Sequence, residues 1–180
     1  DGTTVGLLVS ELGNSLTHVG SGNTVGFAKG KLNLLTKVGD GLAVNAAWGD
    51  ANILTHVGHG DHYNFAKGQA NGVSKIGDGQ MVSVMQGTAN TITHVGQGDD
   101  YTGVWGKANV VTKVGRGRQV TLAKGDANLV TQVGEGDSLN ALWSQSNVVT
   151  KVGDGMQVTA AKGKSNITTT VGHGLSVVAA

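Results

Sequence analysis

The sequence predicts an all-β protein in which short coils of chain stack into a β-solenoid. Three observations lead to this prediction: a repeat of fixed length, strand-forming runs inside each repeat, and glycine where the chain must turn. The chain has 180 residues, of which 31 are glycine and none is proline or cysteine. Because this glycine content is well above the typical level of about 7%, internal repetition is the first pattern to examine.

Asparagine recurs every 19 residues along the chain. Valine, or once isoleucine, lies five places after each asparagine, and a Gly-x-Gly sequence follows directly. The unit reads G-x-[AS]-N-[VIL]-[VIL]-T-[HK]-V-G-x-G-x-x-V-x-x-A-x, without an insertion between residues 14 and 174. The repeated asparagines are Asn14, Asn33, Asn52, Asn71, Asn90, Asn109, Asn128, Asn147 and Asn166.

Each repeat contains two β-favouring runs, such as "NVVTKV" and "QVTLA", separated by glycines that suit tight turns. The unit is too short for two helices, and no helical apolar period runs through it. Two short strands per coil and about nine coils, stacked at about 4.8 Å, are therefore expected. We expect a single repeat array over residues 1–180, with an irregular first coil at 1–13, regular repeats at 14–174 and an incomplete last coil at 175–180.

Stacking converts each repeat position into a column of equivalent side chains. The asparagine column predicts an internal ladder of amide hydrogen bonds. The valines five places after asparagine, and the apolar residues eleven places after it, are expected to fill the core. The aliphatic residues two places after asparagine would then need a bulge or corner near the threonine column, because strict alternation cannot bury the second and fifth places together.

His56, His59 and His62 raise the question of a metal site. They belong to three different columns, each of which we expect at the surface, so their proximity predicts an incidental cluster with no metal bound. The column of His56 also contains His18 and His94, which alternate with lysines. Neighbouring lysines should lower the pKa of these histidines below 6.5, because they disfavour a second positive charge.

Other charged columns are expected to lie in solvent and to match opposite charges on successive coils. The expected pairs are Lys31 with Asp50, Lys107 with Asp126, and Arg116 with Glu135. The threonine column could suit ice binding, but lysine and histidine beside it would spoil a flat plane.

The column four places before asparagine contains lysine and tryptophan. It is either an exposed stacking ladder or a stripe that meets a membrane interface or a partner, since tryptophan and lysine suit the depth of lipid headgroups. We call these residues the Lys–Trp stripe: Lys29, Trp48, Lys67, Trp105, Lys124, Trp143 and Lys162, with Gln86 among them.

Several functional classes have no support in the sequence. The 13 basic and 12 acidic residues give a net charge of +1, which provides no overall attraction for nucleic acid. No apolar run approaches the roughly 20 residues of a spanning helix. No nucleophile, paired carboxylate or phosphate loop stands out from the repetition, so we expect no enzyme activity, cofactor or small-molecule substrate.

The segments "GDANILTHVGHG", "GKANVVTKVGRG" and "SQSNVVTKVGDG" resemble the B-type glycine-rich repeats of the multifunctional autoprocessing RTX (MARTX) toxins. The resemblance covers essentially the whole chain, although the calcium-binding RTX nonapeptide is not reproduced. It implies a non-enzymatic arm of a large secreted toxin, located at the host cell membrane surface, with the host plasma membrane as partner. Self-association, end-to-end or side-by-side, is a further expectation. The alternative is a rigid solenoid spacer or adhesive stalk without lipid contact.

Overall fold

Two parallel β-sheets run along the whole of the described chain. The computed structural model describes residues 2–179. The ten-stranded sheet consists of β1 (Thr3–Val9), β3 (Asn23–Lys29), β5 (Ala43–Trp48), β7 (His62–Lys67), β9 (Met81–Gln86), β11 (Asp100–Trp105), β13 (Gln119–Lys124), β15 (Ser138–Trp143), β17 (Gln157–Lys162) and β19 (Ser176–Ala179). The nine-stranded sheet consists of β2 (Gly13–Val19), β4 (Leu32–Val38), β6 (Ala51–Val57), β8 (Ala70–Ile76), β10 (Ala89–Val95), β12 (Ala108–Val114), β14 (Ala127–Val133), β16 (Ser146–Val152) and β18 (Ser165–Val171).

The predicted β-solenoid is confirmed. Consecutive strands lie in opposite sheets, and each strand pairs in parallel with the strand one coil further on. In β10 and β12, for example, Asn90 pairs with Asn109 and Thr93 pairs with Thr112. At about 4.8 Å per strand, the nine-stranded sheet is about 40 Å long.

Glycine predominates at both turns of the coils, for different reasons. In the Gly-x-Gly turn, Gly39 and Gly41 have φ angles of 120° and 112°, which side-chain-bearing residues rarely adopt. In the opposite turn, a Cβ atom on Gly49 would overlap the carbonyl oxygen of Gly30 in the preceding coil. Close stacking of the coils therefore favours glycine in this second turn, where only Glu11 and Ser144 depart from it.

The prediction of which columns face inward was wrong in part. In β4 the buried residues are Asn33, Leu35 and Lys37, while Val38 is 40% exposed. The alternation is regular, and no bulge interrupts the pairing of β4 with β6. The valines at the fifth place and the apolar residues at the eleventh thus point outward. The expected bulge is unnecessary because the lysine and histidine column is buried.

The apolar core of the solenoid is consequently thin. One aliphatic column from the nine-stranded sheet (Leu35, Leu54, Val73, Ile92, Val111, Val130, Val149) and one column from the ten-stranded sheet (Ala28, Ala47, Ala66, Met85, Val104, Ala123, Leu142, Ala161) form its apolar core. Buried polar residues occupy most other inward positions. The thin apolar core places an unusual share of the apolar side chains on the outside.

Candidate functional site

The asparagine side chains form a continuous chain of hydrogen bonds inside the rod. Asn71 Nδ2 donates to Asn90 Oδ1 at 2.9 Å, and Asn90 Nδ2 donates to Asn109 Oδ1 at 2.8 Å. The same Asn90 amide donates to the backbone carbonyl of Trp105 at 3.2 Å. Equivalent bonds reach the carbonyls of Lys29, Trp48, Lys67, Gln86, Lys124 and Lys162. The asparagines therefore hold the backbone from which the Lys–Trp stripe projects.

Four lysines are buried, although their column was expected in solvent. Lys37, Lys75, Lys113 and Lys151 are at most 1% exposed. Their ammonium groups donate to carbonyls of the Gly-x-Gly turns: Lys75 Nζ lies 2.8 Å from Asp78 O, and Lys113 Nζ lies 2.6 Å from Gly98 O. Burial lowers the pKa of each of these lysines below its usual value. The turn carbonyls replace the water that the ammonium groups lose on burial, which explains why these lysines can lie inside the rod.

The expected surface cluster of His56, His59 and His62 is wrong. His56 and His62 are completely buried, and their ring centroids lie 5.6 Å apart in an edge-to-face arrangement. The His59 side chain is 70% exposed and lies 3.8 Å from Asp78 Oδ2. His59 thus projects away from the buried pair. Among residues 2–179, no group of three or more His, Cys, Asp or Glu residues is arranged to hold a metal ion.

Burial, more than charge, governs the titration of the two inner histidines. It lowers the pKa of His56 to about 4, with smaller contributions from Lys75 and Lys37, while a bond to the Gly39 carbonyl opposes the shift. Burial also lowers the pKa of His62 well below 6.5. The predicted direction for His56 is correct, but its leading cause is loss of hydration.

His94 belongs to a buried charged group that sequence reasoning missed. Its Nδ1 contacts Asp100 Oδ1, and Lys113 Nζ lies 3.9 Å from Asp100 Oδ2. All three side chains are at most 1% exposed. Asp100 faces His94 across the interior, so the alternation of inward positions in both strands would have identified it.

The outer surface of the ten-stranded sheet combines the Lys–Trp stripe with two apolar columns, and we call this surface the Trp face. The first column is Val25, Val44, Tyr63, Val82, Tyr101, Val120, Leu139 and Val158. The second is Phe27, Ala46, Phe65, Val84, Gly103, Leu122, Ala141 and Ala160. Among the outward-facing side chains of these strands, charged ones occur only in the stripe, along one border of the surface.

The tryptophans lie against this apolar surface. Trp48 packs between Phe27 and Phe65, with ring centroids 4.8 and 5.2 Å apart. The Trp105 ring extends over Gly103, where a Cβ atom would approach the ring at 2.9 Å. Trp105 and Trp143 remain 38% and 44% exposed. The stripe is therefore the aromatic and basic border of a wide apolar face.

Charge is separated between the two edges of the rod despite the net charge of +1. The edge beside the stripe carries Lys29, Lys31, Lys67, Lys107, Lys124, Lys162 and Lys164, with Glu11, Asp50 and Asp126. The Gly-x-Gly edge carries Asp40, Asp61, Asp78, Asp99, Glu135, Asp137 and Asp154, with Arg116 and Arg118. The edge that bears the tryptophans is thus basic. The exposed side chains of the opposite edge are mainly acidic, but the buried ammonium groups of Lys37, Lys75, Lys113 and Lys151 lie against its turn carbonyls and offset most of this charge.

The aspartates of the acidic edge also have a structural role that the sequence did not reveal. Asp78 Oδ1 accepts the backbone N–H of Gln97 at 2.9 Å, and Asp99 Oδ1 accepts that of Arg118 at 2.9 Å. Each carboxylate therefore links its turn to the next coil. Of the expected charge pairs, Arg116 and Glu135 form one at 3.1 Å. Lys31–Asp50 and Lys107–Asp126 are absent from the ion pairs of the described residues.

The geometry defines a class of protein: a two-sheet parallel β-solenoid built from glycine-punctuated 19-residue coils. The RtxA repeat matches residues 12–26, 28–45, 47–62, 85–102, 105–121, 123–140, 147–159 and 161–178. The chain belongs to the RtxA repeat family, and its repeats are of the RTX-toxin type. Comparison with curated proteins and with solved structures found no match.

This family and this fold are typical of a structural, non-catalytic region. Within residues 2–179, no helix has the length and apolar character needed to cross a membrane. The chain is accordingly a repeat segment of an RTX-type protein, and its outward surfaces are the features with which it can meet other molecules.

Proposed function

We propose that this chain is part of a non-enzymatic repeat arm of a large secreted bacterial toxin of the MARTX type, and that its Trp face lies on the host plasma membrane. In this role the arm is a scaffold for delivery of effectors into the host cell. Secretion is the usual setting of RTX repeats, which supports the proposed location.

The observation that carries the proposal is the combination of residues on one surface. All three tryptophans of the chain border a continuous apolar face, and lysines lie between them in the same column. Tryptophan places an apolar ring and a polar N–H at the level of lipid headgroups. Lysine beside it can bury its stem and keep its ammonium group in water.

The charge separation further favours anionic lipids. Each lysine close to an anionic membrane contributes about 1 kcal/mol to binding. The Gly-x-Gly edge provides little attraction for the same surface, because its acidic side chains are offset by two arginines and the four buried lysines. The rod should therefore lie tilted, with its Lys–Trp border deepest. The rigid-spacer alternative uses the same coils but gives the Trp face no lipid to contact.

Flotation with lipid vesicles separates these two functions. The chain is mixed with vesicles of phosphatidylcholine alone or with anionic phosphatidylserine, and a matched pair of variants is included. Leu122→Glu adds a charge to the Trp face, whereas Leu129→Glu adds it to the opposite sheet; the native side chains are 39% and 40% exposed. Our proposal predicts flotation with anionic vesicles that Leu122→Glu abolishes and Leu129→Glu retains. Absence of flotation in the unmodified chain would favour the spacer.

A further inference from the structure

The outer surface of the nine-stranded sheet carries no charged side chain at any outward position from Ser15 to Val171. We call it the Val–Thr face. Its three columns are an aliphatic-rich one (Ser15, Leu34, Ile53, Gly72, Thr91, Val110, Leu129, Val148, Ile167), a hydroxyl one (Thr17, Thr36, Thr55, Ser74, Thr93, Thr112, Thr131, Thr150, Thr169), and a valine one (Val19, Val38, Val57, Ile76, Val95, Val114, Val133, Val152, Val171). The lysines and histidines expected beside the threonines are inside the rod.

We propose that the Val–Thr face packs against the same face of a second copy of this chain. Large uncharged surfaces on soluble proteins mark interaction sites. On this face Ile53 is 53% exposed, Leu129 is 40% exposed and Val133 is 40% exposed. The valine and threonine side chains are β-branched and stiff, so little conformational entropy is lost when they become buried.

A comparison of the Trp face with the Val–Thr face indicates which partner suits the Val–Thr face. The Trp face has tryptophans and lysines, the anchors that suit a lipid interface. The Val–Thr face has neither, and its short, regular side chains suit sheet-on-sheet packing at about 10 Å. Two rods with the same distance between coils keep the same alignment along their whole length, so every coil contributes equally to the contact.

The available area is large enough for a dimer. Nine strands at about 4.8 Å, with an outward span of roughly 15 Å on each strand, give on the order of 600 Å² per copy. The two copies together would bury about 1,200 Å², which exceeds the roughly 1,000 Å² of a biological interface. A twofold axis through the face makes the contact self-complementary and closed, because both copies use the same columns.

Sedimentation equilibrium of the full chain tests the proposal. The monomer mass is 18.2 kDa, so the dimer should give about twice this value at micromolar concentration. Two variants each place a charge on the Val–Thr face: Leu129→Glu and Thr112→Lys. Thr88→Lys makes the same change as Thr112→Lys in an exposed turn at the basic edge, and Leu122→Glu places a charge on the Trp face. Circular dichroism verifies that each variant keeps its β-structure.

The expected result is that each Val–Thr face variant weakens the dimer by about tenfold or more, because it leaves a charge inside the contact. Thr88→Lys and Leu122→Glu should change the dissociation constant by less than about twofold. A monomer at all concentrations, or a dimer weakened only by Leu122→Glu, would overturn the proposal. The sedimentation result does not depend on membrane binding, because flotation with vesicles tests the Trp face on the opposite side of the rod.

Discussion

Asn90 shows what one rung of the asparagine ladder contributes to stability. Its amide joins Asn71 and Asn109 and also fixes the carbonyl of Trp105. Asn90→Ala leaves these partners unsatisfied at a site that is 1% exposed, and should cost about 1–3 kcal/mol of unfolding free energy. Urea unfolding measures the loss, with the outward Thr91→Ala as a matched control. A loss below about 0.5 kcal/mol in Asn90→Ala would mean that the ladder contributes no net stability.

The buried pair of His56 and His62 makes stability depend on pH. The pKa of His56 is about 4 in the folded chain and 6.5 when unfolded, so the unfolded state binds more protons between these values. Stability is therefore complete above pH 6.5 and is lost as the pH falls toward 4, by on the order of 1–3 kcal/mol for this group. Neither Nδ1 atom has a hydrogen-bond partner within residues 2–179, so an added proton would be poorly accommodated.

Thermal unfolding at pH values from 7.5 to 4.5 measures this effect. A variant with His56→Gln and His62→Gln should lose less stability on acidification than the unmodified chain. The exposed His59→Gln is the control and should behave like the unmodified chain. Equal acid sensitivity in all three proteins would show that the buried pair does not titrate as described.

At the scale of a single coil, the glycines of the two turns limit what the sequence can vary. A Cβ atom on Gly106 would overlap the Gly87 carbonyl oxygen, whereas one on Gly72 would lie 3.9 Å from its nearest neighbour. Gly106→Ala should therefore destabilise the fold by about 1–3 kcal/mol. Gly72→Ala should be neutral or stabilising by about 0.4–1 kcal/mol, because it restricts the unfolded chain. Chemical unfolding that ranks the two variants in reverse order would contradict the stacking geometry.

The repeat length and the glycine positions were sufficient to predict the coils, their strands and their parallel stacking. They were insufficient to decide which columns face inward, because composition favours valine in the core and lysine outside. Lys37 reverses that expectation by donating to the Asp40 carbonyl at 2.7 Å, a partner that exists only once the coil has formed. Strict inward and outward alternation along the strand, counted from the buried Asn33, places Leu35 and Lys37 inside and Val38 outside.

The sequence shows the Lys–Trp stripe as a column, but it does not show that two exposed apolar columns lie beside the stripe. Apolar character predicts that the residues eleven places after asparagine lie in the core, and it does not decide which side the second apolar column faces. With both columns outside, Trp48 meets Phe27 and Phe65, and the stripe becomes the border of a face. We propose that this border binds lipid, and substitution of its lysines provides a quantitative test.

Lys67 and Lys124 should contribute to membrane affinity by electrostatic attraction. Replacing both by Gln removes about 2 kcal/mol, which corresponds to roughly 30-fold weaker binding to vesicles that contain phosphatidylserine. Lys107→Gln, outside the stripe and further from the Trp face, should have a smaller effect. Titration with vesicles at two salt concentrations measures both, because the lysine contribution must weaken at high salt. Unchanged affinity in the double variant would remove the stripe from the binding surface.

On the scale of the whole molecule, the rod has two uncharged or nearly uncharged faces, one basic edge, and one edge whose exposed side chains are mainly acidic. The interior contains the asparagines of the ladder, four lysines and the inner histidines, while many valines, leucines and aromatic residues lie outside. This distribution costs solubility in an isolated rod but provides two surfaces for partners. We assign lipid to the Trp face and a second copy to the Val–Thr face, so one chain could be held on a membrane and paired at the same time.

Tryptophan fluorescence on vesicles reports directly on contact between the Trp face and lipid, because all three tryptophans lie in the Lys–Trp stripe. The chain is added to anionic vesicles whose acyl chains carry bromine quenchers at known depths. If the Trp face lies on the membrane, the emission shifts to shorter wavelength and bromine near the headgroups quenches it most strongly. Unchanged emission and no quenching at any depth, while the protein remains folded, would contradict membrane contact by the Trp face.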